Sequence, residues 1–174
     1  MSETTNYAKR YRTNKYRLLK IVGIVLLAAI IIFIVFKTLL GFSVVSGNSM
    51  YPTYHDGQPV FYSRLDKSFD VGDVIAMNYL DGEFYIKRIV ATAGDTVEIR
   101  DGVLYVNNEP SPYDFGETAI ATSGNVTYPL IVPEDSVFVA GDNRGINEET
   151  GGLFSIDSRT FGPVSVKQLL GVLF

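Results

Sequence analysis

The chain has 174 residues, 47% hydrophobic and 20% charged, with a formal net charge of −4, a single histidine, His55, and no cysteine. That length suits one globular domain behind an N-terminal segment. Lack of cysteine excludes thiolate metal sites, cysteine nucleophiles and disulfides, and one histidine excludes histidine-rich metal centres. Acidic stretches such as Asp66 to Asp73 lack calcium-loop spacing, so neither metal nor cofactor is expected.

The first elements are a basic tail, residues 1–17, and a hydrophobic segment, residues 18–40, whose central run Ile21 to Phe36 is unbroken and apolar between Lys20 and Lys37. At ~1.5 Å per residue the segment reaches the ~30 Å of a bilayer core, so one transmembrane helix is predicted. A cleavable secretory signal is the competing reading, but Leu39-Leu40-Gly41-Phe42-Ser43 offers no small-x-small site and a retained anchor is favoured. Six basic side chains against Glu3 give the first twenty residues a net +5, whereas residues 41–174 carry eight basic and eighteen acidic groups, net −10. Basic flanks stay cytoplasmic, which places the N-terminus inside and residues 41–174 outside. An acidic exported part also disfavours nucleic acid as a partner.

Beyond Gly41 the texture becomes short β-branched and aromatic runs punctuated by Gly, Asp, Asn and Pro, the pattern of strands and turns. Val74 to Tyr79 and Phe84 to Ala91 flank Asp81-Gly82, and Thr96 to Arg100 and Val103 to Val106 flank Asp101-Gly102. Each is a hairpin signal. Val44 to Ser46, Pro59 to Tyr62, Val137 to Ala140 and Gly162 to Val166 are further predicted strands, and Val166 to Phe174 reads as a last strand or a short helix. The fold class is therefore mainly β, an antiparallel sheet domain preceded by one transmembrane helix. Residues 107–133, broken by four prolines, read as a cap-like excursion, and residues 145–154 as an exposed loop.

Ser49, in Ser46-Gly47-Asn48-Ser49-Met50-Tyr51-Pro52-Thr53, lies just beyond the hydrophobic segment and is a candidate nucleophile. Gly47 permits close backbone approach, Pro52 stiffens the exit, and Met50 supplies a flexible apolar side chain for core or membrane. With His55 alone in the chain, a different base is needed. Lys87, on a predicted strand of apolar neighbours, qualifies if burial lowers its pKa from about 10.4 toward neutrality; a solvated strand lysine is the bland alternative. Gly94-Asp95 and Gly141-Asp142-Asn143-Arg144 are turn sequences whose side chains can bond local backbone or one another. Ser155-Ile156-Asp157-Ser158-Arg159 adds hydroxyls and a carboxylate to guanidinium pair.

These segments, in this order, resemble bacterial type I signal peptidases, membrane-bound Ser-Lys endopeptidases that remove signal peptides from exported preproteins. The match runs through the anchor, the Ser49 octapeptide, Gly72-Asp73-Val74-Ile75, Lys87-Arg88-Ile89-Val90 through Ala93-Gly94-Asp95, and Gly141 to Arg144 with Ser155 to Arg159 and Gly162. The small size and single anchor look like the Gram-positive branch. The resemblance implies Ser49 as nucleophile, Lys87 as general base, Ser155 as the hydroxyl that orients the lysine, and Asp142, Arg144, Asp157 and Arg159 as supports. It further implies the Ser49 N–H as part of the oxyanion hole, a bilayer and signal-peptide-bearing preproteins as partners, and cleavage after small-x-small sequences. Three departures stand out: Gly47 where some members carry a second oxyanion hydroxyl, Ala93 where proline is usual, and ten residues between Arg144 and Ser155 where the family has fewer. Because loop closure costs rise slowly with length, an outward bulge is the expected accommodation. A non-catalytic anchored homologue acting as a binding module is the alternative reading. A self-cleaving Ser-Lys regulator fits less well, since a membrane span stands where a DNA-binding domain would be needed.

Overall fold

A computed structural model describes residues 3–65, 67–79, 82–113, 120, 124–146 and 153–174, with only the backbone described for residues 3–15. Met1–Leu39 and Leu40–Phe174 are separate compact units. The first is one helix, α1, Glu3–Leu39. Its stretch Tyr16–Leu39 is long and apolar enough to cross a membrane, about 36 Å at the α-helical rise. Ile24, Leu26, Ile30 and Phe33 are exposed around it, so no single stripe is reserved for a protein core. The sequence reading extends the anchor to residue 40, but Leu40 already belongs to a strand.

Among its described residues the second unit has eleven strands: β1 Leu40–Val44, β2 Pro59–Ser63, β3 Val74–Tyr79, β4 Glu83–Thr92, β5 Thr96–Arg100, β6 Val103–Val106, β7 Glu109–Pro110, β8 Leu130–Ile131, β9 Ser136–Ala140, β10 Val164–Ser165 and β11 Leu169–Leu173. Seven form one sheet in the order β1-β2-β11-β3-β4-β9-β10, and four form another, β7-β6-β5-β8. Every pairing among them is antiparallel. The two expected hairpins are β3-β4 and β5-β6. At the second, Asp101 and Gly102 both have positive φ, 50° and 76°, the mirror-image turn whose twist matches the strands it joins. Asp81 of the first lies outside the described residues.

Three expectations shift. The strand expected at Val44 to Ser46 runs instead over Leu40–Val44, pairing Gly41 with Tyr62. A Cβ on Gly41 would lie 1.9 Å from the Tyr62 ring, so the aromatic covers the bare glycine backbone. The strand expected at Gly162 to Val166 shrinks to two residues, because Ser165 accepts from the Lys167 N–H while Gln168 reaches back to the Ser165 N–H. This capping box opens a 3-10 turn before β11, so Val166 to Phe174 contains both of the forms expected for it. Last, the excursion at residues 107–133 supplies β7 and β8 to the second sheet. Residues 114–119 and 121–123 of that excursion lie outside the described residues.

Strand β4 runs through the core. Ile86 packs with Val45, Met50, Val60 and Val74 on one side, while Ile89 packs with Ile75, Met77, Val137 and Val139 on the other. A register shift against β9 between Ile89 and Ala91 then brings Val90 and Ala91 into a third cluster with Val97, Leu104 and Phe138. The bulge lets one strand serve both sheets. Its middle is consequently buried on both faces, Ile86 through Ala91 without interruption.

Close backbone approach limits one further position. A Cβ at Gly171 in β11 would sit 1.7 Å from the Ser63 carbonyl oxygen of β2, a backbone atom that cannot swing away. Gly171→Ala is expected to destabilise the domain by about 2 kcal/mol or more through forced separation of β2 and β11. Thermal or urea melts of the variant beside the parent measure this, and an unchanged midpoint would refute it.

Candidate active site

The segment after β1 is a clipped loop. The Val45 N–H donates to the Gln58 carbonyl and the Gly57 N–H to the Val45 carbonyl, both at 2.9 Å, closing its base. Inside, Gly47 has φ +81°, and its N–H donates to Asp56 Oδ1 at 2.7 Å. Tyr51 N–H bonds back to the Asn48 carbonyl at 3.1 Å and Tyr54 N–H to the Met50 carbonyl at 2.9 Å. Met50 is buried in the core beside Val45, Tyr62 and Ile86 and anchors the loop from beneath. Ser49, next to that anchor, meets β4.

Lys87 is only 3% exposed. Its Nζ lies 3.0 Å from Ser49 Oγ and 3.1 Å from the Ile86 carbonyl oxygen, 5.4 Å from the centre of the Tyr85 ring. Burial lowers its pKa to about 8; Asp157 and Asp142 pull it upward by charge, and Arg159 pushes it down. The bond to Ser49 serves either direction: an ammonium donates to Oγ, and a neutral amine accepts the hydroxyl proton. A cavity of about 70 Å³ opens here, lined by Val44, Ser46, Ser49, Tyr85, Ile86 and Lys87 among others. A larger hollow of about 650 Å³, beside Phe69, Thr92, Glu134 and Lys167, contains neither Ser49 nor Lys87.

Two buried carboxylates stand behind the pair. Asp142 accepts from Arg88 Nε at 2.9 Å and Nη2 at 2.7 Å, and from Thr53 Oγ1 at 2.5 Å. Arg88 Nη1 also donates to the Gly72 carbonyl at 2.7 Å. Asp157 accepts from Arg159 Nε at 2.8 Å and Nη2 at 2.9 Å, from Gly141 N–H at 2.9 Å and from Ser155 Oγ at 2.7 Å. Burial alone would raise the Asp157 carboxyl, but the Arg159 guanidinium and these donors hold it below the ordinary carboxylate value. Its stabilising contribution is therefore complete at neutral pH and is lost only as pH falls through that depressed value. Asp157 also caps the short helix α2, Ser158–Phe161, an element that the sequence reading leaves as loop.

The expected supports are thus drawn together, with partners that differ in part from the expected ones. Asp142 pairs with Arg88, to which the sequence reading assigns no role, and not with its near neighbour Arg144. Arg144 donates to the carbonyls of Gly141 at 3.1 Å and Tyr113 at 2.7 Å, tying the excursion to the site. Ser155 gives its proton to Asp157, and among the described residues the hydrogen-bond partners of Lys87 Nζ are Ser49 and the Ile86 carbonyl. Gly141 must be bare, because a Cβ there would lie 2.2 Å from Ser155 Oγ and 2.5 Å from the Ser49 carbonyl. The ten-residue loop is pinched at its neck: Phe154 N–H donates to the Gly145 carbonyl at 3.2 Å, and Ile146 bridges Leu153. The chain leaves and returns at one place, so Ser155 to Arg159 keep their contacts. Residues 147–152 lie outside the described residues.

A hydroxyl in reach of a buried, weakly basic amine is the equipment of nucleophilic hydrolysis. The profile of the family described as signal peptidase, peptidase S26, matches residues 18–174. The chain is 36% identical to signal peptidase I S of Bacillus subtilis (strain 168) over 140 residues, 74% of this chain and 71% of that one. It is 35% identical to signal peptidase I of Bacillus caldolyticus over 144 residues, 74% of each. A solved signal peptidase I from Enterococcus faecalis is 31% identical, with a TM-score of 0.48 over 60% of this chain and 96% of that one. The chain belongs to the signal peptidase family, peptidase S26.

Two stability predictions follow from the burial of charge. Asp142→Ala leaves Arg88 facing an emptied acceptor site and is expected to cost about 3 kcal/mol or more in urea unfolding. Lys87→Met acts in the opposite direction. A lysine with a folded pKa near 8 and an unfolded value near 10.5 opposes folding fully below pH 8, and the penalty fades as pH rises between the two. The methionine variant should therefore be more stable than the parent at pH 7, by about 1–3 kcal/mol, with the gain shrinking by pH 10. Parallel melts at the two pH values read both the sign and the trend.

Proposed function

We propose that Ser49 is the nucleophile and Lys87 the general base of this signal peptidase, a membrane-anchored serine endopeptidase that removes signal peptides from preproteins at small-x-small sites. The observation that carries the reading is the 3.0 Å approach of Ser49 Oγ to a nearly dry Lys87 amine. With a pKa of about 8, roughly a tenth of the lysine is neutral at pH 7, enough to serve as a base whose strength suits the operating pH. Neutral Nζ takes the hydroxyl proton as Oγ attacks the scissile carbonyl, and the developing oxyanion meets the Ser49 N–H. Collapse expels the amine of the mature protein, protonated from Lys87, and leaves an acyl group on Ser49. Lys87, neutral again, deprotonates the water that releases it.

The cavity of about 70 Å³ beside the dyad suits a small side chain. With a cytoplasmic N-terminus, argued from the basic flank, α1 anchors the domain on the outer side, where preproteins arrive with their signal segments in the same bilayer. A binding-only homologue has no use for this arrangement. Holding an amine in an apolar pocket against a hydroxyl is costly, and recognition alone gains nothing from it.

Full-length protein in detergent, given a preprotein with an Ala-x-Ala site, tests the assignment. Ser49→Ala and Lys87→Ala should fold and lose ~10³-fold or more of kcat. Substantial residual cleavage by both variants would sink the dyad. The pH profile is a separate check. Because the base form is needed, kcat/KM should rise about tenfold per pH unit up to about pH 8 and then level off. Substrate seated over the lysine removes more water and should move the midpoint of kcat lower; a flat profile between pH 6 and 9 would contradict lysine as base.

A further inference from the structure

We infer that Asn143 is a positioning residue for the oxyanion hole, acting by orienting the peptide between Asn48 and Ser49; this rests on Ser49 being the nucleophile. The geometry is specific. Asn143 backbone N–H donates to the Ser49 carbonyl at 3.0 Å, and its side-chain Nδ2 donates to the Asn48 carbonyl at 3.1 Å. One residue thus holds the carbonyls on both sides of the Ser49 Cα.

In a trans peptide the carbonyl and the N–H point in opposite directions. Fixing the Asn48 carbonyl toward Asn143 therefore turns the Ser49 N–H away from it, and among the described residues nothing in the protein accepts that N–H. The Asn48 carbonyl also accepts from Tyr51 N–H at 3.1 Å, so both its lone pairs are engaged. Such polarisation strengthens the opposite N–H as a donor. Gly47 N–H cannot substitute for it, being committed to Asp56, and Gly47 has no hydroxyl to offer. The burden on the Ser49 N–H is correspondingly large.

The Asn143 amide is itself oriented. Its Oδ1 accepts from Gly145 N–H at 3.4 Å, which directs Nδ2 toward Asn48. Gly145 is the first residue of the ten-residue loop, and its carbonyl closes the neck with Phe154. The neck of the insertion thereby sets the direction of the peptide that stabilises the oxyanion.

The test uses full-length parent, Asn143→Ala and Asn143→Asp, the last keeping shape and the Gly145 bond while lacking the donor. Each is assayed on the Ala-x-Ala preprotein and titrated with a peptide aldehyde ending in alaninal. Ser49 Oγ adds to the aldehyde carbon, the carbonyl π pair moves onto oxygen, and the hydroxyl proton passes to Lys87, so the adduct presents the oxyanion. Both variants should lose about 10- to 100-fold in kcat, with KM within about threefold. Aldehyde affinity should fall by the same factor as kcat, and the pH midpoint of the uncharged Asn143→Ala should stay with the parent. A kcat within threefold of the parent, aldehyde binding that does not follow kcat, a shifted pH midpoint in the uncharged Asn143→Ala, or failure of both variants to fold would each overturn the proposal. Failure of the underlying reading looks different: the parent itself would ignore the aldehyde, and Ser49→Ala would still cleave.

Discussion

Everything in the site depends on keeping the Lys87 amine close to charge without giving it a counterion. An ammonium buried this deeply is unstable, and a direct carboxylate partner would cure that by raising the pKa and keeping the amine charged. The protein places two carboxylates near enough to act through space and then commits each to a guanidinium: Asp142 to Arg88 and Asp157 to Arg159. What remains at Lys87 is a balance in which burial wins and two acids temper it, leaving a pKa near 8. Arg88 and Arg159 in this sense help set the state of the amine, since they keep the acids from becoming its partners.

That arrangement explains the design of β4. Successive strand residues point to opposite faces, so Lys87 and Arg88, adjacent in sequence, serve two tasks from one rigid segment. Lys87 meets Ser49, while Arg88 binds Asp142, Gly72 and, at 3.3 Å, Thr53 of the Ser49 loop. Asp142 is in turn followed by Asn143, which holds the backbone of Ser49. Ser49, Lys87, Arg88 and Asp142 are therefore linked by a closed circuit that crosses from the loop to β4 to the segment after β9 and back. Moving one member moves the others. Gly141 marks how tight the circuit is, since no side chain fits between Ser155 and Ser49.

How legible this was in the sequence follows from the range of each interaction. Hairpins at Asp101-Gly102 and Gly82 are written in two residues and their flanks, and so could be read directly. Ser49 and Lys87 were singled out mainly by the resemblance of their segments to the family pattern, while the lone His55 and the absence of cysteine told only that a different base was needed. The Arg88–Asp142 pair spans 54 positions and Thr53–Asp142 spans 89, so no local pattern contains them. One clue did exist: a second basic residue inside the otherwise apolar run Ile86 to Ala91 demands a buried acid somewhere. The role of Asn143 was hidden for the same reason, its partners lying 94 and 95 residues away. Helix α2 escaped because one turn has too few residues to show a period, although Asp157 is a good N-cap.

On the proposed reading, the small cavity and membrane anchoring meet different needs. A soluble endopeptidase must recognise enough of its substrate to hold it, and about 70 Å³ lined by Val44 and Ile86 beside Ser46, Ser49 and Lys87 supplies little affinity. An enzyme tethered to the bilayer that carries its substrate faces a different requirement, because confinement raises the effective concentration without any new contact. On the proposed reading the pocket acts only on the residues at the cut, and shared membrane anchoring supplies the encounter. Selectivity of that kind tolerates wide variation in the rest of the signal peptide, but it makes the rate depend on geometry at the reacting carbonyl. On this view the hydrogen bonds holding the Asn48–Ser49 peptide and the dry setting of Lys87 matter more to discrimination than the pocket does. A site that binds weakly can distinguish its substrates only in the transition state.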